Sequence, residues 1–153
     1  MASLRPGQPA PDFTAATHDG GQISLADFRG RYLVLFFYPR ANTPVCTRET
    51  QSFRDHAGEL ESLGAAVVGV STDDAATQCG FAERHGVAFP LITDAGGELA
   101  RSYGVRRGLL GVAKRVTFVI DPEGTVVGRF HHELSGERHV RDVMELLRGR
   151  TAS

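Results

Sequence analysis

The stretch Tyr32-Leu-Val-Leu-Phe-Phe-Tyr38 constrains the fold more than any other part of this chain. It is apolar without interruption and bounded by Gly30 and Pro39. A strand with one wet face alternates apolar and polar residues, whereas an unbroken run of this length belongs to a central strand covered on both faces. The rest of the chain must therefore supply two covering layers. With 153 residues, 41% of them hydrophobic, one domain spanning 1–153 has enough material for such a core.

The periodicity of the flanking segments says what those layers are. Short alternating runs around Asp19-Gly20-Gly21 predict an N-terminal hairpin, and Asp27 to Gly30 reads as a turn. From Pro44 to about Leu63, Cys46, Thr50, Phe53, Ala57 and Leu60 recur at three- and four-residue steps, which predicts a helix closed by Gly64. "AAVVGVST" is a second buried strand. Thr72 or Asp73 is then the expected cap of a helix that carries Cys79 and stops at Gly86. "VAFPLITD" reads as extended, Asp94 as the cap of a helix reaching Tyr103, and "RVTFVIDPEGTVVGRF" as two strands around a turn. The last helix places Val140, Val143, Met144 and Leu147 on one face. Strands alternating with helices, followed by a hairpin, predict an α/β three-layer sandwich with a mixed central sheet.

Charge and cysteine usage narrow the function classes. The net charge is −1, with acidic and basic residues interspersed, so no basic surface invites nucleic acid. Every apolar run is too short to span a bilayer, and the opening MASLRPGQPAPDF has no secretory apolar region. The cytoplasm is the expected location. Two cysteines, Cys46 and Cys79, make no disulfide scaffold, and their separation fits no common zinc spacing. The neighbours His131 and His132 would point to opposite faces of a strand, so no metal site is expected.

Cys46 stands where the chain turns from strand into helix. Thr43 precedes a proline and is pushed out of the helical region, which suits an N-cap. Pro44 suits the first helical position, where no N–H is needed, and Cys46 falls third. A thiol in that first turn faces unpaired backbone N–H groups and the positive end of the helix dipole, which favour thiolate. The dipole alone contributes only about 0.3–1 kcal/mol. Arg48 points elsewhere on the helix, and Glu49, three residues on, opposes a second negative charge. The arrangement is reactive only if an arginine from another element reaches both groups; otherwise Cys46 fills space beneath a helix start.

Pro39-Arg-Ala-Asn-Thr43-Pro44-Val-Cys46 matches the P-x-x-x-T-x-x-C motif of peroxiredoxins. "FYPRANTPVCTRE" resembles the Q-type branch, also called bacterioferritin comigratory protein. "GQPAPDFTA", "VVGVSTD", "FAERHGVAFPLITD", "YGV" and "RVTFVIDPEG" extend the resemblance over nearly the whole chain. It implies a thioredoxin-like fold and reduction of hydroperoxides by cysteine alone, with no metal, haem, flavin or other cofactor. It places Cys46 as the peroxidatic thiol that becomes a sulfenic acid. Thr43 would hydrogen-bond the thiolate and the peroxide, and Pro44 would shield the site. Arg115 would be the missing cation and Glu49 the residue orienting it.

The resemblance departs at Gln51, where many members of the branch carry their resolving cysteine. Other members carry it on the next helix, which makes Cys79 a candidate; still others have none and depend on an external thiol. Val45 replaces a frequent glycine and stiffens the first turn. The reductant implied is thioredoxin or a similar dithiol. The branch implies a monomer, with the apolar tip Gly108 to Gly111 as the surface for a weak dimer. Two rival classes lack support in the residues. A disulfide exchanger needs C-x-x-C, but Cys46 is followed by Thr, Arg and Glu. A partner-binding module that had lost its chemistry would not need Thr43, Cys46, Glu49 and Arg115 together.

Overall fold

The computed structural model describes residues 4–106, 113–133 and 135–151; the tip from Gly108 to Gly111 lies outside them. In chain order the elements are β1 (Thr14–Ala16), β2 (Gln22–Ser24), a 3-10 helix (Leu25–Phe28), β3 (Tyr32–Phe37), α1 (Pro44–Ser62) and β4 (Ala65–Ser71). Then come α2 (Ala75–His85), β5 (Leu91–Thr93), α3 (Glu98–Ser102), β6 (Val116–Ile120), β7 (Val126–His131) and α4 (Gly136–Thr151).

Five strands form one mixed sheet in the order β5-β4-β3-β6-β7. β3, β4 and β5 run parallel, while β6 and β7 are antiparallel to their neighbours. β1 and β2 pair as the separate N-terminal hairpin, which touches the main sheet through a bridge from Thr17 to Ile92.

β3 lies at the centre, as its composition predicts. Leu33, Leu35 and Phe37 point into one core with the 3-10 helix and with Leu99, Ala100 and Tyr103 at α3. Val34, Phe36 and Tyr38 point into the other with α1, α2 and α4. Period-two alternation thus feeds two layers from one strand. Phe36 stacks on Phe53 of α1 at 4.5 Å between centroids, and each such buried ring contributes about 1.5–3 kcal/mol. On β4 only glycine fits at position 69, because a Cβ there would lie 2.8 Å from both Leu91 and Phe36.

Three local expectations need correction. Neither Thr72 nor Asp73 caps α2. Asp74 does, accepting the Thr77 amide at 2.8 Å, while Asp73 accepts the Ala41 amide and the Ser71 hydroxyl, each at 2.7 Å. The carboxylate with one local and one tertiary donor is taken out of the contest for the helix end. Asp94 does serve α3, accepting the Leu99 and Ala100 amides at 3.0 Å, but across a turn, with Gly97 in the cap position. The turn after β2 closes as a 3-10 helix beginning at Leu25, because Leu25 and Phe28 both enter the core.

Candidate active site

The site forms where α1 begins. Thr43 is the N-cap, in extended conformation, and Pro44 occupies the first helical position. The first helical bond runs from the Thr47 amide to the Thr43 carbonyl at 2.8 Å, which leaves the Val45 and Cys46 amides without helical partners. The Thr43 hydroxyl does not cap them; it donates to the Arg40 carbonyl at 2.8 Å. Pro44 is exposed and Cys46 fully buried. Just before Thr43, Asn42 takes a left-handed conformation (φ 65°), which asparagine tolerates better than most residues.

The cation comes from the residue preceding β6. Arg115 is buried, and its Nη1 donates to Cys46 Sγ at 3.0 Å and to Glu49 Oε1 at 3.3 Å. Its Nε donates to the Glu133 carbonyl at 2.9 Å, which fixes the plane of the guanidinium. The antiparallel register sets Val116 opposite Phe37. Arg115 therefore emerges beside the end of β3, where the chain turns towards α1.

Glu49 is fully buried one turn beyond Cys46. Burial pushes its carboxyl up to about 8, against the opposing pull of the Arg115 guanidinium. Its Oε2 has no hydrogen-bond partner among the described residues. α4 closes the site from behind. A Cβ on Gly136 would lie 2.4 Å from Glu49 Cα and Cβ, so the two backbones approach as only glycine allows.

The structure brings Cys46, Glu49 and Arg115 into one buried cluster, with Thr43 and Pro44 at its mouth. Cys79 lies apart on α2, half-buried, its Sγ 4.0 Å from Glu83 Oε1, and both cysteines are free thiols. Three contacts tie α2 and the loop before it to α1 and the loop before it: Arg84 to Asn42, Asp73 to the Ala41 amide, and Gln51 to His85 at 3.2 Å. His131 pairs with Glu133, and His132 pairs with Asp142 at 2.6 Å. Sequence reasoning missed Glu133, Thr117, Gly136 and His139, which meet the cluster only through tertiary packing. A glycine opening a helical pattern at 136 was the single local signal of close approach.

Comparison with known proteins gives the family. The model of the AhpC/TSA family matches residues 6–129. Chloroplastic peroxiredoxin Q of Populus jackii is 34% identical over 148 residues, covering 96% of this chain and 70% of that protein. Chloroplastic peroxiredoxin Q of Oryza sativa subsp. japonica is 35% identical over 142 residues, and this chain spans 65% of its length. Among solved structures, peroxidoxin BcpB of Mycobacterium tuberculosis superposes with a TM-score of 0.90 at 39% identity, covering 95% of this chain and 97% of that one. Peroxiredoxin Q of Xanthomonas campestris does so with a TM-score of 0.86 at 29% identity, covering 95% and 98%. The chain belongs to the AhpC/TSA family, on its peroxiredoxin Q branch.

Proposed function

We propose that this chain is a thiol-dependent peroxidase that reduces hydrogen peroxide and organic hydroperoxides at Cys46. One observation carries the reading: a fully buried thiol in the first turn of a helix, with an arginine Nη1 3.0 Å from its sulfur. A related Xanthomonas campestris bacterioferritin comigratory protein has been studied for alkyl peroxide reduction, and the same substrate class is proposed here.

The chemistry follows from where the donors stand. The Cys46 thiolate attacks the distal peroxide oxygen; the S–O bond forms as the O–O bond breaks, and the leaving oxygen takes up a proton to depart as water or an alcohol. Arg115 stabilises the thiolate beforehand and the charge on the breaking bond afterwards. The free amides of Val45 and Cys46 offer further donors. The Thr43 proton is committed to the Arg40 carbonyl, so its oxygen presents lone pairs and accepts the peroxide O–H rather than donating to the thiolate. Pro44 brings no N–H to the mouth of the site, and Glu49 holds Arg115 from the side away from the substrate.

In the second half of the cycle Cys79 is the proposed resolving thiol. It attacks the sulfenic acid, a disulfide forms, and water leaves. Cys46 is fully buried, so the first turn of α1 must open, while the contacts at Asn42, Ala41 and Gln51 keep α2 close by. Thioredoxin or a similar dithiol then reduces the bridge. Two free thiols and a dithiol donor suit the reducing cytoplasm, the location proposed. No described helix is long and apolar enough to cross a membrane, and the net charge of −1 gives nucleic acid no footing. A single domain, 1–153, acting as a monomer completes the proposal, and sedimentation tests the last point.

The intact mass of the reduced protein, after one equivalent of hydrogen peroxide and quenching with a thiol-blocking reagent, tests the cycle. Loss of two hydrogens with no reagent taken up supports resolution by Cys79. Oxygen gained at Cys46 with Cys79 blocked replaces it with a one-cysteine cycle served by an external thiol. An unchanged mass refutes the peroxidase reading.

A further inference from the structure

Behind the cluster lies a second buried titratable side chain, for which the reaction as described has no use. His139, in the first turn of α4, is fully buried. Its Nδ1 lies 2.8 Å from Thr117 Oγ1, and its Nε2 lies 3.0 Å from the His132 carbonyl oxygen and 3.6 Å from Glu49 Oε2. A carbonyl can only accept, so the network assigns the proton to Nε2, and Nδ1 accepts the Thr117 hydroxyl. The His132 amide approaches Nε2 as well, at the longer distance of 3.3 Å. The Nε2–H therefore bonds the His132 carbonyl, and beside it, 3.6 Å away and beyond hydrogen-bond reach, lies Glu49 Oε2, the buried oxygen that has no hydrogen-bond partner among the described residues.

We propose that His139 is a positioning residue for the peroxidase: its Nε2–H favours the ionised form of Glu49, and through that carboxylate it limits how tightly Arg115 clamps the Cys46 thiolate. The inference rests on Cys46 being the peroxidatic thiol. Glu49 faces Cys46 on its own helix, Arg115 ahead of β6, Glu133 after β7 and His139 on α4. His139 in turn faces Glu49, Arg115, His132 and Asp142. Burial drives His139 down to about 4, so it is a neutral donor at physiological pH. A polarised N–H close beside a buried carboxylate favours its charged form.

Arg115 Nη1 serves two acceptors, Sγ and Oε1. With Glu49 ionised, the guanidinium charge is divided between two anions. With Glu49 neutral, all of it falls on the thiolate, which becomes less nucleophilic by about threefold for each tenfold gain in stabilisation. The reaction with peroxide should therefore speed up as Glu49 loses its proton near pH 8.

The experiment is the second-order rate of reduced wild type, His139→Leu and His139→Gln with hydrogen peroxide from pH 6 to 9.5, followed by stopped flow, with far-ultraviolet circular dichroism and melting on the same samples. Wild type should show a rise of about threefold centred near pH 8. His139→Leu should displace that rise upward by less than about 1 pH unit, because an N–H dipole 3.6 Å from Oε2 does less than a full hydrogen bond to a charged group. His139→Gln, whose amide N–H can reach the same oxygen, should keep it near its original place. If His139→Leu fails to fold, Thr117→Val, which removes the ring's hydroxyl partner, should displace the rise in the same direction. A reactive wild type whose profile superimposes on that of the folded variant overturns this inference alone, whatever happens to the melting temperature. A wild type inert at every pH overturns the peroxidase reading and this inference with it.

Discussion

A single guanidinium organises the site, and its two ends do different work. Arg115 Nε is committed to the Glu133 carbonyl, and Nη1 spans Cys46 and Glu49. A lysine keeps the charge but cannot hold these partners at once. Arg115→Lys should lower kcat/KM for peroxide by about 10²–10³-fold while the protein stays folded; a variant within a few-fold of wild type would show that charge alone suffices. At Thr43 the proposed role rests on the fixed orientation of the hydroxyl. Thr43→Ser should keep most of the rate and Thr43→Val should lose at least about tenfold, and equal rates would remove Thr43 from the chemistry. Much of this was legible in the sequence, because Cys46 and Glu49 sit on one helix and their conflict of charge demands a distant arginine. His139 and Glu133 were not legible: nothing local to either residue refers to Cys46, and the place of His139 arises only when α4 packs against α1, that of Glu133 only when β7 pairs with β6.

At the level of elements, the site depends on two backbones in close approach. β6 places Thr117 two residues beyond Arg115, and Gly136 lets the start of α4 meet α1 at Glu49. Gly136→Ala should push these apart, at about 1–3 kcal/mol, lowering both the melting temperature and the rate with peroxide. Gly149→Ala, also on α4 but with open space around its new methyl, should raise stability by up to about 1 kcal/mol. If the two variants melt alike, the close approach is not what Gly136 is for. Elements with a strong pattern, the unbroken apolar run of β3 and the three- and four-residue steps of α1, were readable from the sequence. The shortest were not, since β5 and α3 take their bounds from pairing and from the reach of Asp94 rather than from their own residues. The α2 cap passed to Asp74 because the hydroxyl of Ser71, two residues before it, and the amide of Ala41, distant in sequence, had already claimed Asp73.

For the whole molecule, the buried pair should shape stability against pH from opposite sides. Glu49 is raised from 4.5 to about 8 on folding, so its contribution is full below 4.5 and is lost as pH climbs through 8. His139 is lowered from 6.5 to about 4, so its contribution is full above 6.5 and is lost as pH falls through 4. Between pH 6.5 and 8 only Glu49 of the two is losing stability. Glu49→Gln should therefore flatten the decline in unfolding free energy across that window in denaturant titrations; an unchanged slope would place its source elsewhere. The contact between Gly136 and Glu49 also has a meaning in time. The ribosome releases Cys46 early, but α4 is the last described element to be made. Until it emerges and docks, Glu49 lacks the wall against which it is set. With Cys46 as the proposed nucleophile, a nascent chain carries it for most of synthesis without the finished pocket, which closes only when the protein is nearly complete.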